Sequence, residues 1–88
     1  ALAECRRALE IDPLSLVINT KLGQILYFAG RYAESIAQHR KTLELAPDFA
    51  TAHYNLGLVY TQTGNYEKAK ARLELAGELS GGVSYALE

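Results

Sequence analysis

Apolar side chains return every three or four residues along most of this chain, the spacing that places them on one side of an α-helix. Leu2, Cys5, Ala8 and Leu9 share a face of a helix over 1–11. Asp12-Pro13 ends it, because the proline ring disfavours helical geometry at the residue before it. Ser15 is an N-cap whose hydroxyl accepts an orphan backbone N–H, and it opens a helix over 16–29. Ile18, Leu22, Ile25, Leu26 and Ala29 form the apolar stripe of that helix, and Gly30 stops it. A third helix follows over 32–46, with Tyr32, Ile36, His39, Leu43 and Leu45 inward. Asp48 is the N-cap expected for a fourth over 49–63, whose core face carries Ala52, Leu56, Val59 and Tyr60. Gly64 ends it, and Asn65 caps a fifth helix over 66–79 with Ala69, Leu73 and Ala76 inward. Ser80-Gly81-Gly82 then breaks the pattern, and 83–88 reads as the first turn of a further helix or a tag remnant. Arg6 with Glu10 and Arg40 with Glu44 are expected surface pairs, each at i,i+4 spacing. Nothing requires a strand. Connections of two to four residues force successive helices to pack antiparallel, so the pattern predicts an all-α fold of stacked helix hairpins, about five helices in all.

The elements repeat. Leu22-Gly23 and Gly30-Arg31-Tyr32 return as Leu56-Gly57 and Gly64-Asn65-Tyr66, and Pro13 returns as Pro47, all at one constant offset. A fixed period of this size marks a stacked array. The glycines at 23 and 57 remove side chains where two helices approach closely; Ala69 and Ala76 do the same from the partner helix. Leu22, Leu56, Tyr32 and Tyr66 are expected to fill the space around them.

These residues resemble the tetratricopeptide repeat, whose unit of about 34 residues carries Leu-Gly and then Tyr in its first helix, a Gly-x-Tyr turn, small residues in the second helix and a closing Pro. Leu56-Gly57, Tyr60, Gly64, Tyr66, Ala69 and Ala76 fit it well. The unit before is looser, with Leu26, Ser35 and Thr42 replacing Tyr, Ala and Ala, and Ala1, Ala8 and Pro13 fit the second half of a still earlier one. Asn19 and His53 stand where the family often has Trp; Cys5, His39 and Leu73 stand where it favours Phe. The resemblance implies a right-handed superhelix. It divides the chain into the second helix of a preceding repeat (1–14), two complete repeats (15–48 and 49–82) and a remainder (83–88).

Composition narrows the function. Apolar residues make up 49% of the chain, enough for a packed core, and the net charge of -1 offers no basic field for nucleic acid. No apolar run is long enough to span a bilayer. The start is charged, lacks a signal peptide and opens inside a helical pattern, so we expect a fragment of a longer protein in a cytoplasmic setting. Cys5 is the only cysteine and reads as a small hydrophobe. No Cys/His group has metal-ligand spacing, and no cofactor is expected.

No constellation carries catalysis. His39 occupies an apolar slot and reads as a core imidazole with one nitrogen satisfied; His53 reads as a packing or rim residue. Glu74 and Glu78 lie one turn apart on a solvated face. The glycines follow the repeat and are not a phosphate loop, since no strand precedes them and no G-K-[ST] follows. We therefore expect no enzyme. The resemblance implies a binding module whose first helices line a concave face. The groove positions it implies are Val17, Thr20, Lys21, Gln24, Tyr27 and Phe28, then Thr51, Tyr54, Asn55, Leu58, Thr61 and Gln62, with Tyr85 beginning a third set. The expected partner is a peptide or helix of another protein, with no nucleic acid and no membrane. Asn55 matches one member of a clamp that some relatives use to grip a terminal carboxylate. Thr20 and Gln24 stand where that clamp needs Lys and Asn, which disfavours it. The alternative is a spacer or self-association segment of a larger regulatory protein, of the kind found in bacteria, pairing through exposed terminal helices.

Overall fold

The computed structural model describes residues 2–81. Five helices make up the described chain: α1 (Leu2–Ile11), α2 (Leu16–Phe28), α3 (Tyr32–Leu45), α4 (Ala50–Gln62) and α5 (Tyr66–Leu79). No strand occurs among the described residues. The turn expected at 83–88, with Tyr85, lies outside them.

Two tight hairpins form the body, α2 with α3 and α4 with α5. Their turns share one geometry. Gly30 has φ 76° and Gly64 has φ 81°, a left-handed conformation that glycine adopts without a Cβ clash. In each turn the following N–H reaches back across the helix end, Arg31 to the Leu26 carbonyl and Asn65 to the Tyr60 carbonyl, both at 2.9 Å. The glycine N–H groups close the inner bonds to the carbonyls of Tyr27 and Thr61. This pair of bonds satisfies carbonyls that a helix end leaves orphaned.

The hairpins meet through α3 and α4, α1 packs on α2, and the first helices α2 and α4 touch. One cluster joins Cys5 to Leu22 and Leu26, flanked by Leu2, Leu9, Ile18 and Ile25. A second joins Leu56, Tyr60 and Ala69, flanked by Ile36 and Leu43. Close approach within each hairpin depends on a glycine. A Cβ on Gly23 would stand 2.7 Å from the His39 ring nitrogens. One on Gly57 would stand 2.7 Å from Cγ and Cδ2 of Leu73. His39 and Leu73 hold equivalent positions in successive repeats, so one packing device is built twice with different side chains.

Several expectations need correction. The side chain of Asp48 does not cap α4: Phe49 holds the N-cap position and no side chain bonds there. Asn65 holds the N-cap position of α5, but its amide donates to the Thr63 hydroxyl at 3.0 Å. Leu45 is 41% exposed and Tyr66 68% exposed, because each lies on the outer side of its helix. Ala29 is exposed at the end of α2. Arg6 and Arg40 reach across to other elements where partners on their own helix were expected. Arg6 meets Glu34 at 3.8 Å, and Arg40 donates to the Tyr60 hydroxyl at 3.0 Å. Ser15 does cap α2, accepting from the Ile18 N–H at 3.2 Å.

Candidate ligand groove

The first helices of the two hairpins frame a groove. Gln24, Tyr27 and Phe28 enter it from α2, and Tyr54, Asn55 and Leu58 from α4. Helical spacing explains the set, since residues three and four apart share a face. His39 of α3 closes the floor, and the cavity holds about 240 Å3.

Its walls are aromatic, and Asn55 and His39 are its buried polar residues. Tyr27 meets Phe28 edge-on with ring centroids 5.3 Å apart, and it leans on Tyr32 at 5.8 Å. These contacts hold the rim, where Phe28 is 82% exposed. Asn55 is buried, and its amide nitrogen has no hydrogen-bond partner among the described residues. His39 is wholly buried, and neither ring nitrogen is bonded among the described residues. Desolvation lowers its pKa from 6.5 to about 4, so the ring is neutral at physiological pH. The one-nitrogen-satisfied imidazole expected from sequence is therefore corrected. The ring is wedged onto Gly23, where no donor or acceptor reaches it.

Six of the twelve sequence candidates converge here. Val17 and Lys21 lie elsewhere, lining a depression of about 380 Å3 with Glu4, Cys5, Ala8, Ile18 and Ile25 between α1 and α2. Thr20 is buried, its hydroxyl unpartnered among the described residues. Thr51, Thr61 and Gln62 are exposed outside the cavity, and the Thr61 hydroxyl donates to the Gly57 carbonyl at 2.8 Å. Sequence reasoning missed His39 as a floor residue. The signal lay in Gly23, because a second-helix residue seated on that glycine reaches the seam between first helices.

Comparison with known proteins agrees with this architecture. The repeat profile described as TPR repeat matches residues 23–64, and the one described as tetratricopeptide repeat matches 50–82. The chain belongs to the tetratricopeptide repeat family. A peroxisomal targeting signal receptor of Kluyveromyces lactis is 35% identical over 68 residues, 77% of this chain and 12% of the receptor. A probable UDP-N-acetylglucosamine–peptide N-acetylglucosaminyltransferase SPINDLY of Oryza sativa subsp. japonica is 35% identical over 60 residues, 68% of this chain and 6% of that protein. This tetratricopeptide chain thus spans a small part of the curated relatives it matches. Among solved structures, MamA MSR-1 superposes with TM-score 0.86 at 27% identity, covering 92% of this chain and 47% of that one. YrrB, described as a TPR protein with an unusual peptide-binding site, superposes with TM-score 0.86 at 30% identity, covering 92% and 42%. No helix among the described residues is long and apolar enough to cross a membrane.

Proposed function

We propose that the chain is a protein-interaction module, its repeats at 15–48 and 49–82 gripping a peptide or a partner helix between α2 and α4. One observation carries this. A preformed cavity has aromatic walls over a buried Asn55 whose amide nitrogen has no partner among the described residues. Leaving such a donor unmatched is unfavourable, and a ligand carbonyl that accepts from it recovers the loss. Tyr27, Phe28 and Tyr54 supply the rigid contact area that dominates binding energy at interfaces. Lys21 lines the other depression, so among the described residues no cation lines the groove, which does not suit a terminal carboxylate. The likeness to a targeting-signal receptor and to a peptide-binding repeat protein supports the same reading. The transferase likeness covers 6% of that enzyme and brings no activity with it. We read this chain as a non-enzymatic scaffold.

The test is selection of peptides from a displayed library on the whole chain, followed by titration against Tyr54→Ala and Asn55→Ala. A loss of roughly tenfold, about 1.4 kcal/mol, is expected for each. Selected peptides that bind both variants unchanged would place the site elsewhere.

A second reading, end-to-end contact between chains, rests on the depression between α1 and α2. Val17 there is 76% exposed, and Ile18 and Ile25 add apolar surface. A sedimentation series that stays monomeric at high concentration would count against it.

A further inference from the structure

The second helices α3 and α5 do not approach within 8 Å at any pair of Cα atoms, and Tyr60 of α4 lies in the gap between them. The depression there holds about 290 Å3 and is lined by Arg40, Tyr60, Lys68, Ala71, Arg72 and Leu75. It shares no residue with the groove described above. Tyr60 organises its basic groups: its hydroxyl accepts from Arg40 at 3.0 Å, and Lys68 Nζ stands 5.7 Å from its ring centroid. Arg72 commits one nitrogen to His53 at 3.0 Å. None of the three cations belongs to an ion pair among the described residues.

The repeat itself supplies the comparison. Moving one repeat back takes Arg40 to Arg6 and Lys68 to Glu34. Those two face each other across the gap between α1 and α3 at 3.8 Å, and Arg31 also grips Glu34 at 2.6 and 2.9 Å. The same shift takes Arg72 to neutral Gln38, and the opposite shift takes Arg31 to Asn65. One gap thus carries a carboxylate of its own that pairs its cations, while the lining of the next holds three cations and no carboxylate. Like charges gathered without a counter-charge repel, which disfavours the folded state unless something else neutralises them.

We propose that this depression docks an acidic, amphipathic segment of a partner protein, its carboxylates meeting Arg40, Lys68 and Arg72. The apolar part is what selects a peptide over a small anion. Ala71, Leu75 and the Tyr60 ring offer a floor that inorganic phosphate cannot use, whereas a segment carrying Glu and Leu on one face covers it. Guanidinium groups pair with carboxylates in a planar, two-pronged fashion, and Arg40 is already oriented for this by Tyr60.

The probe is a fluorescein-labelled amphipathic peptide of Glu, Ala and Leu, titrated against the whole chain at low salt. Its control has every Glu replaced by Gln. Lys68→Glu rebuilds the charge arrangement of the preceding gap, so it is expected to weaken binding roughly tenfold or more without lowering the melting temperature. Arg40→Gln is expected to weaken binding too, and the affinity should fall as salt rises. Tyr54→Ala is expected to leave this peptide unaffected, which separates the site from the groove between α2 and α4. Equal binding of the Gln control, or unchanged affinity in both charge variants, would overturn the proposal. Full displacement by inorganic phosphate at matched ionic strength would also overturn it, in favour of a simple anion site.

Discussion

Arg72 donates to Nδ1 of His53 at 3.0 Å, in the place where, one repeat earlier, Gln38 donates to Oδ1 of Asn19 at 2.8 Å. Each acceptor also reaches back to a proline carbonyl, His53 Nε2 to Pro47 at 2.9 Å and Asn19 Nδ2 to Pro13 at 3.1 Å. A guanidinium has only donors, so Nδ1 of His53 carries the lone pair and Nε2 the proton. The two hairpins therefore share a polar link that fastens the incoming loop to the first helix and the first helix to the second. An amide pair makes it in one repeat, and an imidazole with a guanidinium makes it in the next.

Breaking that link should be felt in stability. Arg72→Ala leaves a buried ring nitrogen unpaired and is expected to lose about 1–3 kcal/mol in urea unfolding. The double change His53→Asn with Arg72→Gln transplants the earlier pair and should stay within about 1 kcal/mol of the parent. A double-mutant cycle on His53→Ala and Arg72→Ala that gives a coupling near zero would mean the contact contributes nothing.

The glycine seats should be sensitive to one added methyl. Alanine is favoured over glycine inside a helix by about 1 kcal/mol, so an unobstructed site would gain stability. At Gly23 the new methyl would meet the caged His39 ring, and we expect Gly23→Ala to lose about 1–3 kcal/mol net. His39→Ala should recover part of that loss in the double variant. Gly57→Leu, which overpacks against Leu73, is expected to lose about 1–3 kcal/mol, both losses read from thermal melts.

The two loops before the first helices should respond differently to the same kind of change. Ser15→Ala removes an observed cap and is expected to lose about 1 kcal/mol. Asp48→Ala removes no cap bond, and its effect should lie within about 0.5 kcal/mol. Equal losses at both sites would overturn the capping assignment.

The contrast between Ser15 and Asp48 shows what was legible beforehand. Helices, turns and stacking follow from period and from Gly30 and Gly64, because local geometry and apolar spacing decide them. Asp48 has the right chemistry for a cap, but the backbone places Phe49 at that position. Six of the twelve groove candidates line one cavity because first-helix faces are set by spacing alone. Val17 and Lys21 line the depression beside α1, which draws on the same helix. The pairing of Arg6 with Glu34 and of Asn19 with Gln38 joins residues on different helices, and no single-helix rule reaches that far. His39 on the cavity floor depends on which helix seam its glycine seat opens toward, a tertiary fact.

His39 should make the fold sensitive to acid. Burial holds the folded ring at a pKa of about 4, against 6.5 when exposed in the unfolded chain. Above pH 6.5 the ring is neutral in both states and contributes no pH dependence. As pH falls below that value the unfolded chain gains a proton that the folded chain does not. Stability therefore drops by about 1.4 kcal/mol per pH unit until pH 4, a total of about 3 kcal/mol. Carboxylates also titrate at the lower end of this range, so the parent alone cannot isolate the effect. His39→Leu can, since Leu73 fills the equivalent slot in the next hairpin. Urea unfolding at pH 7.5 and at pH 4.5 should show a much smaller acid loss in His39→Leu than in the parent. At pH 7.5 the variant should also be more stable by about 1 kcal/mol, because two buried nitrogens without partners are gone. An identical pH profile in the two proteins would mean that His39 finds a partner in solution, and the most direct candidate would then be water or a ligand atom in the cavity it shares with Asn55.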